Sequence, residues 1–271
     1  MAARYETVSF LSDYGHADEF VGVVHSVIRT IAPHVRVVDL VHDLAPYDVR
    51  AAALALSRVV QYVAPGVLLA IVDPGVGTER RAIAVEVGED GEGVLIGPDN
   101  GLLAPAVALC GGAQRVVELS NPEYHLPSPG PTFAGRDVFA PAAAHLATGV
   151  PIGELGPEVD PYSLRPGLLP LSREEDGALV GEVLWIDRYG NCQLNIDPAD
   201  VAGWGDAIIL RLPQEQVRRA RVVSSFAELG PGQVGLVVDS YGLLTVAADR
   251  ASAAEALRLT PGAGVTLEPG S

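Results

Sequence analysis

The sequence contains no lysine: all 18 of its basic residues are arginine. Chemistry that needs a Schiff-base lysine or the lysine of a P-loop is therefore excluded. Positive charge is scarce altogether, with 34 acidic residues, a formal net charge of −16 and a pI near 4.6. A surface that gathers polyanions is not expected, and nucleic acid is not expected as a partner. Only two cysteines are present, Cys110 and Cys192, far apart and outside any C-x-x-C pair. That removes a disulfide framework and a thiolate metal site, and it fits a reducing cytoplasm. No window approaches 18 consecutive apolar residues, and the start, MAARYETVSFLSD, lacks a basic segment ahead of a long apolar stretch. Neither a membrane span nor a secretory signal is expected. What is abundant is apolar: 48% of the 271 residues are hydrophobic and 19% charged, enough for a sizeable core in one large or two medium domains.

Short runs rich in β-branched residues recur through the first half, at residues 7–11, 35–40, 67–72, 82–87 and 93–97. They have the length and composition of strands. Helical spacing occupies 19–31 and 49–63, the second alanine-rich and stopped by Pro65 and Gly66. Strand alternating with helix implies an α/β layer around a largely parallel sheet. From 155 to 177 the text LGPEVDPYSLRPGLLPLSREEDG carries no period for helix or strand and reads as a linker. Beyond it, β-like runs at 181–186, 207–212, 233–239 and 243–247 with turn signals between them predict a small all-β barrel. The expected organisation is an N-terminal α/β domain over 1–154, a linker over 155–177 and a C-terminal β-barrel domain over 178–271.

In an open α/β sheet, ligands sit beyond the carboxyl ends of the strands, so polar residues that follow each apolar run are the first candidates. After the first run comes Ser12-Asp13-Tyr14-Gly15, where a carboxylate on a tight turn can accept from a pair of ligand hydroxyls or can cap the following helix. DLVHDLAPYDV sets His42 and Asp43 close together and puts Tyr47 after a proline; this suits a hydrogen-bonded loop or the wall of a pocket better than a metal site, since no further His or Cys stands at ligand spacing. DPGVGTERR lacks the spacing of a phosphate loop, and its proline and glycines instead shape a turn able to bring Asp73 and Arg80 together, as a structural ion pair or as a water-positioning pair. GPDNGL is a turn, and PTFAGRD follows later. In the second half, IDRYGN and DSYG each place polar and aromatic residues after a strand, as hairpin turns or as a binding surface.

Taken in order, FLSDYG, VVDLVHDLAPYDV, VDPGVGTERR, IGPDNGLL, PTFAGRDVFAPAAAHLA, IDRYGN and DSYG resemble the S-adenosyl-L-methionine (SAM) hydroxide adenosyltransferases, the hydrolases related to the SAM-dependent fluorinase and chlorinase. The resemblance runs from about residue 8 to about residue 252. It implies an α/β domain and a β-barrel in each chain of a homotrimer, with SAM held between the N-terminal domain of one subunit and the C-terminal domain of its neighbour. No metal or redox cofactor is implied, since SAM is the substrate. By position, Asp13 would grip the ribose hydroxyls and Tyr47 would wall the ribose. Asp187 and Ser240 would hold the methionine head, Asn191 the adenine edge, and Tyr189 and Phe226 the adenine faces. Asp73 and Arg80 match two members of a water-holding Asp, Arg and His triad.

The third member is missing. Where the hydrolases read T-F-H-G-R-D, this chain reads Thr132-Phe133-Ala134-Gly135-Arg136-Asp137, and His125 and His145 occupy other positions. The resemblance implies hydrolysis of SAM to adenosine and methionine, attenuated at Ala134. A halogenase-like activity has room beside Ala134 and Gly135, but the carboxylate of Asp73 opposes a halide. A SAM- or adenosine-binding protein without turnover is the remaining alternative.

Overall fold

In the computed structural model, which describes residues 4–205 and 207–270, the apolar runs of the first half become β1 (Thr7–Ser12), β2 (Arg36–Val41), β3 (Gly66–Ile71), β4 (Ala82–Val87), β5 (Gly93–Pro98) and a further strand, β6 (Arg115–Glu118). They form one sheet in the order β2-β1-β3-β5-β4-β6. The first four in that order are mutually parallel, while β4 runs antiparallel to both of its neighbours. Strand β1 is buried on both faces, as a central parallel strand must be. Its alternation sends Val8 and Phe10 to one core and Leu11 to the other.

The helices sort accordingly. α1 (Phe20–Ile31) buries Val21, Val24 and Ile28, one stripe of a 3.6-residue period. α2 (Val49–Val59) starts at Asp48, whose carboxylate accepts from the Ala51 amide at 2.8 Å. It stops earlier than its spacing predicts: Val60–Tyr62 tighten into a 3₁₀ turn before Pro65. α3 (Ala104–Leu109) and α4 (Ala140–Ala147) complete the layers. α1 and α4 pack on the Phe10 side of the sheet, and α2 and α3 pack on the Leu11 side.

The chain divides into two compact units between Leu168 and Leu169. The second unit contains β7 (Arg173–Glu175), β8 (Ala178–Ile186), β9 (Cys192–Leu194), β10 (Ala207–Leu212), β11 (Gln216–Val222), β12 (Val234–Val238), β13 (Leu244–Ala248), a short helix α5 (Ala253–Leu257) and β14 (Gly264–Pro269). Seven strands close into a barrel in the order β8-β14-β10-β11-β12-β13-β9 and back to β8, and β7 adds outside the ring on β8. Its interior is aliphatic, with Val183, Leu194, Ile208, Leu210, Val246, Val265 and Leu267 fully buried.

The segment read as a linker with no period for helix or strand contains a strand. Arg173–Glu175 pairs with β8 through Asp176 and Gly177, both in the left-handed region (φ 51° and 78°), which is the two-residue Asp-Gly hairpin turn. Three residues are too few to show a period, and the turn was the available signal. Among the described residues no helix is long and apolar enough to cross a membrane.

Replacing the cap of α2 tests its contribution: Asp48→Ala should cost about 1 kcal/mol in urea unfolding and Asp48→Ser much less. An unchanged midpoint for Asp48→Ala would show that packing alone sets the start of this helix.

Candidate active site

Strands β1 and β3 are adjacent and parallel with Ser12 opposite Ile71, so the chain leaves the sheet at the same edge twice, to Asp13 and to Asp73. Asp13 does not cap α1, whose N-cap is Glu19. Its Oδ2 instead accepts from the Tyr47 amide at 2.8 Å. That bond holds Tyr47, a residue 74% exposed, at φ 68°, a conformation that costs a non-glycine residue about 1–2 kcal/mol. Strain of this kind on an exposed aromatic residue suits a ligand wall better than a plain loop.

Asp73 and Arg80 meet. Within the turn the Val76 amide donates to the Asp73 carbonyl and the Thr78 amide to the Gly75 carbonyl, each at 3.2 Å, and the chain doubles back. Arg80 then donates from Nε to Asp73 Oδ1 at 3.0 Å and from Nη2 to Oδ2 at 2.5 Å. The two side chains are only 6% and 12% exposed, and the guanidinium carbon lies 5.5 Å from the centre of the Phe139 ring. Burial pushes the Asp73 carboxyl above the ordinary carboxylate range, and the guanidinium offsets this only in part. Arg80 Nη1 is buried with no hydrogen-bond partner among the described residues, a donor still available to a small molecule.

Neighbouring groups brace this edge. Ser12 Oγ and His42 Nδ1 lie 2.7 Å apart, His42 Nε2 and Asp39 Oδ1 2.9 Å, and His25 Nε2 reaches the same Asp39 oxygen at 2.8 Å. Burial would raise Asp39, but the two histidine hydrogen bonds outweigh it and hold the carboxyl below its usual range. With both nitrogens of His42 engaged, the DLVHDLAPYDV loop is a hydrogen-bonded brace. Among the described residues no group of three His, Cys, Asp or Glu side chains is set to hold a metal ion. From the other side Asn100 Nδ2 donates to the Val72 carbonyl at 2.9 Å, and Arg81 grips Asp99 through Nε at 3.0 Å and Nη2 at 2.6 Å.

Ala134 brings only a methyl group. It precedes a single π-helical turn, Gly135–Phe139, which leads into α4, and such turns often mark functional sites. A Cβ on Gly135 would overlap the hydroxyl oxygen of Tyr14 and come within 3.1 Å of both the Tyr14 Cζ and the Phe133 ring, so only glycine fits. Burial lowers the pKa of the two histidines of this region, His125 and His145, and His145 meets Tyr124 edge to face at 5.0 Å.

In the barrel unit the two polar turns are hairpins, β8 to β9 and β12 to β13, and their carboxylates shape them. Asp187 Oδ1 accepts from the amides of Tyr189 (2.8 Å) and Asn191 (2.9 Å), and Oδ2 accepts from Asn191 Nδ2 at 2.7 Å. Gly190, at φ 83°, closes that turn against Ser252. Asp239 Oδ1 accepts from the Tyr241 and Leu243 amides, and its Oδ2 accepts from Gln193 Nε2 (2.6 Å) and Thr245 Oγ1 (3.0 Å). The same turns line a concavity of about 490 Å³ that brings together Asp187, Tyr189, Asn191, Phe226 and Ser240, every barrel residue singled out from the sequence. Tyr189 is 78% exposed and Phe226 45%, an aromatic surface suited to a flat ring. Trp185, Gln193, Asp239 and Tyr241 also line it. Trp185 and Tyr241 lie 6.4 Å apart edge to face; Trp185 escaped sequence reasoning because a tryptophan near a strand end reads as core. Burial pushes the Cys192 thiol up to about 12, so it supplies no nucleophile.

A buried carboxylate–guanidinium pair lies at the strand ends of one unit, and a concavity lined by aromatic and polar side chains lies in the other. Residues 8–156 match the SAM hydroxide adenosyltransferase N-terminal domain and residues 181–266 its C-terminal domain. The chain belongs to the SAM hydroxide adenosyltransferase family. It is 44% identical to the (R)-S-adenosyl-L-methionine hydrolase of Thermus thermophilus, over 96% of this chain and 98% of that protein, and 43% identical to that of Salinispora tropica, over 94% and 95%. Similarity to the fluorinase of Actinoplanes sp. is lower, at 29% identity. A solved structure of a conserved Thermotoga maritima protein is similar with a TM-score of 0.88 at 30% identity, covering 96% of this chain and 99% of that one.

The ion pair makes its own prediction. Arg80→Met leaves Asp73 buried without its counter-charge and should destabilise the fold by about 3 kcal/mol, whereas Asp73→Asn combined with Arg80→Met should recover most of that loss. Thermal denaturation of the wild type, the single variants Arg80→Met and Asp73→Asn, and the double variant checks it. Additive single losses would mean that the pair is not coupled.

Proposed function

We infer that this chain is a SAM hydrolase that forms adenosine and L-methionine, and the observation that carries the reading is the buried Asp73–Arg80 pair at the carboxyl edge of the sheet. Water attacks the ribose C5′ of SAM as the C5′–S bond breaks. The bonding electrons stay on sulfur, which departs as the neutral thioether of methionine, so no general acid is needed. The excess proton on the new C5′–O bond passes to the Asp73 carboxylate and then to solvent; a carboxyl raised by burial is the better base for that step. Because the sulfonium already activates the leaving group, the proposed step requires neither metal nor redox cofactor.

The remaining roles are those that the resemblance to the family implies. Asp13 accepts from the ribose hydroxyls beside Tyr47. In the barrel, Asp187 and Ser240 hold the methionine head, Asn191 the adenine edge, and Tyr189 and Phe226 the adenine faces. Each half-site is completed by a neighbouring subunit of a homotrimer, acting in the cytoplasm, where two unpaired cysteines are at home. A halide is the poorer nucleophile here because the Asp73 carboxylate repels it. Ala134 brings no imidazole to the water, and hydrolysis is attenuated to the extent that no other side chain takes that place.

Incubation with SAM, and with both sulfonium epimers separately, should yield adenosine and methionine by chromatography. 5′-Chloro-5′-deoxyadenosine in the presence of chloride would mean a halogenase, and unchanged SAM a binding protein. Since Asp73 must be ionised to take the proton and its pKa is raised, kcat/KM should fall on acidification from a pH above the usual carboxylate range. Asp73→Asn should lower kcat by about 10²- to 10⁴-fold.

Asp13 binds substrate and transition state alike, so Asp13→Ala should raise KM far more than it lowers kcat. Dilution that separates subunits should weaken SAM binding in step with the sedimentation coefficient. A monomer that binds SAM at full strength would overturn the trimeric site.

A further inference from the structure

We propose that the Tyr14 hydroxyl is the third group that holds the attacking water, supplying from β1 the hydrogen bond that Ala134 cannot; this rests on the hydrolase reading above. Tyr14 directly follows Asp13, and the β1–β3 register sets that chain beside the one leading to Asp73. Its hydroxyl presses against Gly135, the first residue of the π turn, while the Arg80 guanidinium lies over Phe139, the last residue of the same turn. One helical turn therefore floors both groups. The ring is fixed at 5.4 Å from Phe20 and 5.7 Å from Phe133, centre to centre, so the hydroxyl is held in place by packing.

Two polar groups at this turn are unsatisfied. The Tyr14 amide donates to Ser12 Oγ at 3.3 Å, but its hydroxyl has no hydrogen-bond partner among the described residues, and neither has Arg80 Nη1. Burial, reinforced by the negative charges of Asp13 and Asp73, pushes the phenol above its ordinary range and keeps it protonated, with Arg80 opposing. A neutral hydroxyl both donates and accepts.

A water among these groups has all four of its hydrogen-bonding directions used. One hydrogen goes to Asp73 and the other to Tyr14 Oη. One lone pair accepts from Arg80 Nη1, and the second points at C5′. As the C5′–O bond forms and the C5′–S pair collapses onto sulfur, one proton moves to Asp73, and Tyr14 keeps its own throughout. Gly135 is required because any side chain there would displace the hydroxyl.

The test uses the full chain with SAM, reading initial rates of adenosine formation and the thermal midpoint. Tyr14→Phe keeps the ring packing, and its kcat should fall about tenfold, the rate equivalent of one hydrogen bond, with KM and the thermal midpoint little changed. Gly135→Ala, which pushes the phenol away from the turn while keeping the tyrosine, should lose kcat in the same way, and this covers the case in which Tyr14→Phe fails to fold. Ala134→His in the Tyr14→Phe background should restore kcat, because an imidazole then provides the third hydrogen bond. Wild-type kcat in Tyr14→Phe, or a loss that Ala134→His does not recover, would overturn the role of Tyr14. Wild-type protein that binds SAM but forms no adenosine would overturn the hydrolase reading itself, before any substitution is made.

Discussion

A carboxylate that is 6% exposed survives in a protein interior only if something opposes its charge, and for Asp73 that is the two-pronged grip of Arg80. Much of the N-terminal unit is arranged around that requirement. The parallel pairing of β1 with β3 delivers Asp73 to the sheet edge, and the proline-glycine turn returns the chain so that the guanidinium arrives seven residues later. Phe139 on the π turn gives the guanidinium a face to rest on. Arg81 and Asp99 then pin the strand that follows, and Asn100 pins the backbone just before Asp73.

The carboxylates of the barrel unit show that a structural role and a ligand role need not exclude each other. Asp187 and Asp239 satisfy the amides of their hairpins and, in doing so, hold Asn191, Ser240 and the neighbouring aromatic residues in one concavity. A bare hairpin turn would need none of those exposed rings. The net charge of −16 suits a cationic sulfonium substrate in the same way, since the field of the whole molecule attracts it at long range while rejecting small anions.

The Ser12, His42, Asp39 and His25 chain takes no part in the proposed reaction, yet it braces the sheet edge beside Asp13. It ties the ends of β1 and β2 to α1 through buried Ser12 and His42 and through the more exposed Asp39 and His25. A histidine with both nitrogens bonded is rigid, and Asp13, one residue from Ser12, inherits that rigidity.

Local patterns sufficed for much of the molecule. The five β-branched runs and the 3.6-residue spacing of α1 are short-range features, and the ordered motifs identified the family and several residues that line the barrel concavity. Strands β7, β9 and β11 were hidden because pairing partners, not periodicity, make them strands: three residues at β7 and β9, and the arginines of QVRRARV at β11. Asp73 and Arg80 could be paired on paper through their turn, but whether that pair was buried depended on the layers above it. Tyr14 and Gly135 stand 121 residues apart in the chain, and nothing local links them. Their contact exists only because β1 and the π turn ahead of α4 pack on the same side of one sheet, and hydroxyl placement at that distance is a property of packing alone.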